Sequence, residues 1–227
     1  MSTPSSNRPI HTIGRVSDEG AVRDETEREQ LEAELIERRE AALARVVKFG
    51  DPVLKSKASL VSEFGPELRA EVDRMFVIMR DGMGVGLAAT QLGVLRRILV
   101  FQAGPDSEPT GLVNPSIEWL SEEVVVAEEG CLSLPGVAMD VERPLHARVG
   151  GLDVEGKPVT IEASGLEARV LQHEIDHLDG VLILDRAPRD QRKAALRALR
   201  EGDSFSPAAE GDNERDAEEH REPRTDA

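Results

Sequence analysis

The sequence predicts an α+β fold, a largely antiparallel sheet with flanking helices, and two observations carry that prediction. Short apolar, β-branched runs recur between residues 97 and 162, separated by Gly, Pro and Asn rather than by helix-length segments. Strands joined by tight turns run antiparallel. Helical periodicity lies outside that region, at residues 24–46, 66–80 and beyond 165.

At 227 residues the chain suits one domain of ordinary size plus appendages. No apolar run approaches the roughly 18 residues of a membrane span, and the N-terminus lacks the basic-then-apolar order of a secretory signal, so a cytoplasmic protein is expected. The single cysteine, Cys131, excludes an intramolecular disulfide. Net charge is −16, but residues 17–45 carry −5 of it and residues 201–227 carry −7. The acidity therefore belongs mainly to the appendages and speaks to solubility. It gives no reason to expect DNA or a membrane as partner.

Residues 1–16, rich in Ser and Pro, read as a disordered N-terminus. An acidic helical extension over 17–45 follows, with Leu31, Leu35, Ala42, Leu43 and Val46 forming one thin apolar stripe. That stripe packs on the domain, packs on a second copy, or stays solvated. The catalytic domain is expected over 46–200. Gly50-Asp51-Pro52 makes a turn, and Pro66 opens a helix to Arg80 with Leu68, Val72, Met75, Phe76 and Met79 on its buried face. A Gly-rich loop over 82–91 comes next, then strands at 97–101, 111–115, 123–127, 146–149, 152–154 and 159–162. A helix from Gly165 to Gly180 and a last helix over 188–200 complete the domain, and the acidic, Pro-containing residues 201–227 read as a disordered tail.

The helix ending at Gly180 carries the chemistry, because His173 and His177 lie one turn apart on one face and their imidazoles converge on one metal ion. Glu174 points about 100° further round, placed for a water on that metal rather than for the metal itself. Two histidines need a third ligand. Cys131, in a turn flanked by Gly130 and Pro135, fits, and a Cys-His-His set leaves one tetrahedral position open for water. In the Gly-rich loop, Gln91 is an amide on close-packed backbone, the type of donor that stabilises an oxyanion.

Three separated segments, GVGLAATQ (84–91), EGCLS (129–133) and QHEIDHLDG (172–180), resemble peptide deformylases in sequence and in order. The resemblance extends over about residues 46–190. It implies antiparallel sheets packed around a central metal-binding helix, and metal-dependent removal of the formyl group from the N-terminal formylmethionine of nascent polypeptides. By the same resemblance Cys131, His173 and His177 are metal ligands and Glu174 is general base and acid. Gln91 and the backbone N–H of Leu132 donate to the oxyanion formed when hydroxide from the metal-activated water attacks. Val85 and Gly86 pair with the substrate backbone as an added strand.

Leu166 and Val170 precede His173 by seven and three residues, so both fall on its face as walls for a methionine side chain or as core. Arg169 lies beside them, with its stem over the pocket edge and its head expected in solvent. On ligand chemistry alone the metal is zinc. The resemblance implies one Fe2+ per chain instead, with Zn2+, Ni2+ or Co2+ as substitutes.

Arg189, Lys193, Arg197 and Arg200 form a basic stripe on the last helix, either a ribosome contact or a solvated face. The family often has an arginine soon after the Cys-loop proline. Here Gly136-Val137-Ala138-Met139 has none, and Arg143 is the nearest cation. The rival readings are an endopeptidase using the same HExxH element and a catalytically silent adaptor on the same fold.

Overall fold

The computed structural model describes residues 18–208. The expected disordered N-terminus and residues 209–227 of the acidic tail lie outside the described residues. The chain divides into two units, residues 1–37 and residues 38–227. In the first, helix α1 (Asp18–Leu43) begins, and Leu31, Leu35 and Ile36 are exposed on the single chain. Within the second unit, Ala42 and Val46 are buried in the core.

The second unit is built on one strand that is apolar throughout. Strand β2 (Ile98–Phe101) sits inside a five-stranded antiparallel sheet, where successive side chains point to opposite faces. Ile98 and Val100 join the cluster under helix α2 (Pro66–Asp81), whose buried face is Leu68, Val72, Met75, Ile78 and Met79. Leu99 and Phe101 join the cluster under helix α3 (Leu166–Leu178), with Ala168, Leu171, Ile175 and Leu178. A strand covered by a helix on each face has no polar side, hence its unbroken Ile-Leu-Val-Phe.

Around β2 the sheet runs β1 (Gly86–Ala88), β2, β3 (Thr110–Leu120), β6 (His146–Leu152), β7 (Pro158–Ser164). Strand β1 is therefore an edge. A separate two-stranded hairpin joins β4 (Val124–Cys131) to β5 (Leu134–Pro144). Helices α4 (Ile183–Arg186) and α5 (Arg189–Glu201) close a third cluster over β5, with Val137, Met139, Val141, Leu184 and Ala195.

Strand β5 is absent from the sequence reading although Val137, Met139, Val141 and Arg143 are buried at strict period two. Pro135 and Gly136 open it like a turn, and a buried arginine breaks the apolar pattern. The strands expected at 146–149 and 152–154 are one, because Gly150 and Gly151 remain paired with β7 instead of breaking it. A Cβ on Gly151 would lie 3.2 Å from the Val113 carbonyl oxygen, a tight approach that glycine eases. Opposite, β3 shifts register beside Asn114, a non-glycine residue at φ +53°. Its side chain compensates by clamping Val61, accepting from the N–H at 2.8 Å and donating to the carbonyl at 2.9 Å.

Of the residues expected as an acidic tail, 201–208 are described. Gly202, at φ +77°, ends α5 in the left-handed conformation that favours glycine, and Asp203 N–H donates to the Ala198 carbonyl. The reversed chain then lies along β5, with Phe205 N–H donating to Gly136 O at 2.9 Å and Ala138 N–H donating to Phe205 O at 2.8 Å.

Candidate metal centre and active-site cleft

Cys131 ends β4 at the hairpin tip, and a register shift at Gly130/Cys131 turns it out of the ladder toward α3. Its Sγ lies 3.2 Å from His177 Nε2. One turn earlier, His173 presents Nδ1 to Glu129 Oε2 at 2.9 Å, which leaves Nε2 as its lone-pair donor. The two rings meet edge to face with centroids 4.9 Å apart. Ligand atoms from Cys131, His173 and His177 all lie within 4.8 Å of one another.

This set fits one divalent ion. Burial by itself would raise the Cys131 thiol, but His177 and His173 beside it hold it well below the ordinary thiol range. Burial disfavours a charged His173, yet Cys131 and Glu129 hold it well above the ordinary histidine value. A cysteine sulfur and two imidazoles converging in this way are a donor set from which a divalent cation displaces protons on binding.

Glu129 holds His173 in place. Burial would raise its carboxyl, but hydrogen bonds from Arg143 and His173 carry it well below the usual carboxylate range. Arg143 grips it with both ends, Nε to Oε1 at 2.8 Å and Nη2 to Oε2 at 2.9 Å, and gives its third nitrogen to Asp176 at 2.6 Å. Arg186 closes on Asp176 from α4, Nε to Oδ2 at 2.5 Å. Arg143 is 3% exposed, so it is a buried strut and not the substrate-facing cation considered from the sequence. Arg169 likewise departs from expectation. Its head turns inward, to Glu129 at 2.7 Å, Val141 O at 2.9 Å and Val125 O at 2.7 Å, while the residue still lines the cleft.

Above the donor set opens a cleft of about 640 Å³. Val85, Gly86, Gln91, Cys131, Leu132, Leu166, Arg169, Val170, His173 and Glu174 line it, and His177 lies buried beneath. The structure thus gathers the residues expected from the sequence as ligands, base, oxyanion donors and substrate contacts, while Arg143 and the basic stripe of α5 lie outside the cleft. Glu174 is 3% exposed, its Oε2 has no hydrogen-bond partner, and burial raises its carboxyl above the usual range. Gly86 makes room for it: a Cβ there would stand 2.3 Å from Glu174 Oε1. The Ala88 N–H donates to Gln91 Oε1 at 2.8 Å, which orients the amide. Gln91 Nε2 then faces Cys131 Sγ at 3.6 Å and Ser133 Oγ at 3.4 Å. Leu132 occupies the hairpin tip, and Lys48 Nζ donates to its carbonyl oxygen at 3.1 Å.

Sequence reasoning missed Glu129 as the orienting carboxylate, and Arg39, Leu43 and Phe205 as cleft lining. The first carried a weak signal, two residues before the cysteine. The others carried none beyond being apolar or basic in segments that read as appendages.

An α+β chain with a Cys-His-His donor set on an HExxH helix and a buried carboxylate against it belongs to the class of metallohydrolases. Residues 43–193 match the polypeptide deformylase family. A peptide deformylase of Parafrankia is 49% identical over 156 residues, covering 68% of this chain and 84% of that protein. Peptide deformylase 1 of Corynebacterium efficiens is 46% identical over 160 residues, covering 70% and 95%. The crystal structure of a peptide deformylase from Synechococcus elongatus in complex with actinonin superposes with a TM-score of 0.65 at 38% identity, covering 70% of this chain and 88% of that one. The chain belongs to the polypeptide deformylase family, and with it to the metal-dependent hydrolases that remove N-formyl groups.

Proposed function

We propose that this chain releases formate from N-formylmethionyl nascent peptides, with Glu174 as general base and acid and with Gln91 and the Leu132 N–H as oxyanion donors. The observation that carries this reading is Glu174 Oε2, buried and unpartnered beside the donor set. Cys131, His173 and His177 would hold the metal, which when bound supplies a Lewis acid for the formyl oxygen and acidifies a water. Glu174 takes that water's proton, and its raised affinity for protons suits a base working near neutral pH. The water oxygen adds to the formyl carbon, the C–N bond breaks, and Glu174 returns the proton to the leaving amine. Gln91 Nε2 donates to the developing oxyanion because Ala88 fixes the other end of its amide.

On the substrate side, β1 pairs with β2 on one edge only, so Val85 and Gly86 offer backbone groups to a peptide added as a strand. Leu166 and Val170 wall the pocket for methionine, and the stem of Arg169 lies at its rim. The metal is Fe2+, with Zn2+, Ni2+ or Co2+ as substitutes, consistent with a thiolate and two imidazoles. Elemental analysis of protein purified without oxygen tests that assignment. Among the described residues no helix is long and apolar enough to cross a membrane, and the proposed site of action is the cytoplasm. Arg189, Lys193, Arg197 and Arg200 are exposed on α5, which supports a ribosome contact whose test is salt-dependent cosedimentation. For the reaction itself the test is formate released from N-formyl-Met-Ala-Ser. N-acetyl-Met-Ala-Ser should yield no acetate, and cleavage at internal peptide bonds instead would point to an endopeptidase.

A further inference from the structure

The family match ends at residue 193, yet residues 204–206 line the same cleft as the metal ligands. Their placement is built rather than incidental. Gly202 turns the chain at the end of α5, and Phe205 pairs through its N–H and carbonyl with Gly136 and Ala138 on the edge of β5 away from β4. Phe205 is 8% exposed and sits in the cluster of Val137, Met139, Leu184 and Ala195. Ser206 Oγ donates to Glu128 Oε2 at 2.5 Å. Gly136, at φ +73°, takes the left-handed conformation that favours glycine at the point where β5 meets the segment.

A peptide lying in this cleft has two candidate backbone edges, β1 and β5. Residue 205 already occupies the β5 edge at Gly136 and Ala138, so in this chain that side meets the peptide through residues 204 and 206 instead of through open β5 backbone. Resting on the deformylase reading above, we propose that residues 204–206 form an outer wall of the cleft that binds the substrate peptide beyond its first two residues, with Phe205 as the positioning residue that docks the wall. The ligand class is extended peptide, recognised through main-chain and hydroxyl contacts and therefore tolerant of sequence.

The test compares N-formyl-Met-Ala with N-formyl-Met-Ala-Ser-Leu-Ala on the metal-loaded full-length protein, Phe205→Ala, Phe205→Leu and a chain ending at Gly202. The proposal expects the pentapeptide-to-dipeptide ratio of kcat/KM to fall about tenfold in Phe205→Ala and in the shortened chain, the scale of one or two lost hydrogen-bonded contacts. The fall should lie in KM with kcat held, and Phe205→Leu should restore most of it by refilling the apolar socket. Equal losses on both peptides, or a loss in kcat alone, would overturn it, because those follow from a damaged fold or metal site. Failure of the wild type to deformylate either peptide would remove the deformylase reading, and this inference with it.

Discussion

Gly86 and Glu174 are packed so closely that a Cβ on Gly86 would stand 2.3 Å from Glu174 Oε1 and 2.8 Å from its Cγ and Cδ. The loop needs no glycine there for backbone reasons, since Gly86 lies in strand β1; it needs one because the Glu174 carboxylate, the proposed base, occupies the place of a Cβ. Gly86→Ala should displace Glu174 while leaving Cys131, His173 and His177 intact. A misplacement on the order of 1 Å costs about a hundredfold in rate, so kcat should fall by that order with the bound metal unchanged, as parallel kinetics and metal analysis would show. At this scale the sequence was legible where spacing carries geometry. His173, Glu174 and His177 follow from the helical turn alone. Cys131 and Gln91 drew their meaning from neighbouring residues. Glu129 did not, because nothing local distinguishes a carboxylate that orients a histidine from one that faces water, and its partners Arg143, Arg169 and His173 are 14, 40 and 44 residues away.

Between elements, the buried ion pairs tie the β4–β5 hairpin to α3 and α4. Glu129→Ala would strand Arg143, 3% exposed, with only Asp176. Breaking such a pair costs about 3–5 kcal/mol, and losing the histidine's orienting partner costs about 10–100-fold in metal affinity. Thermal unfolding and metal titration of Glu129→Ala should show both losses together. A second tie joins the turn Pro52–Lys55 to α4 through the Lys55–Asp185 ion pair, and Asp185 also accepts from the Leu182 N–H at 2.8 Å. Burial raises the Asp185 carboxyl, but Lys55 and Leu182 outweigh it and leave the net value lowered. A depressed carboxylate contributes stability that is complete above its unfolded value, near 4, and fades as pH falls through the folded value. Asp185→Asn should therefore lower Tm at pH 7, and that deficit should shrink progressively as pH falls below about 4 in melts of both proteins. The elements themselves were legible where one period ran unbroken, as in α2 and α3. Strand β5 was not, since Pro135, Gly136 and Arg143 each contradict a strand locally while the pairing with β4 over Val124 to Gly130 overrides them.

For the whole molecule, the family core explains the donor set but not all of the cleft. Arg39, before the matched residues 43–193, and Leu43, at their start, come from the end of α1, and residues 204–206 come from beyond α5; both segments read as acidic appendages in sequence, and composition concealed their part in the cleft. Phe205 was the one aromatic residue after Gly202, a signal that gained meaning only once Gly136 and Ala138 were placed. The central claim is that this cleft deformylates peptides with Glu174 as base and acid, and the most direct measurement is formate release from N-formyl-Met-Ala-Ser by wild type and Glu174→Gln, with bound metal quantified in both. The account predicts release by the wild type and a loss of about 10²–10⁴-fold in the variant at equal metal content. A variant that keeps the wild-type rate, or a metal-loaded wild type that yields no formate, would contradict it.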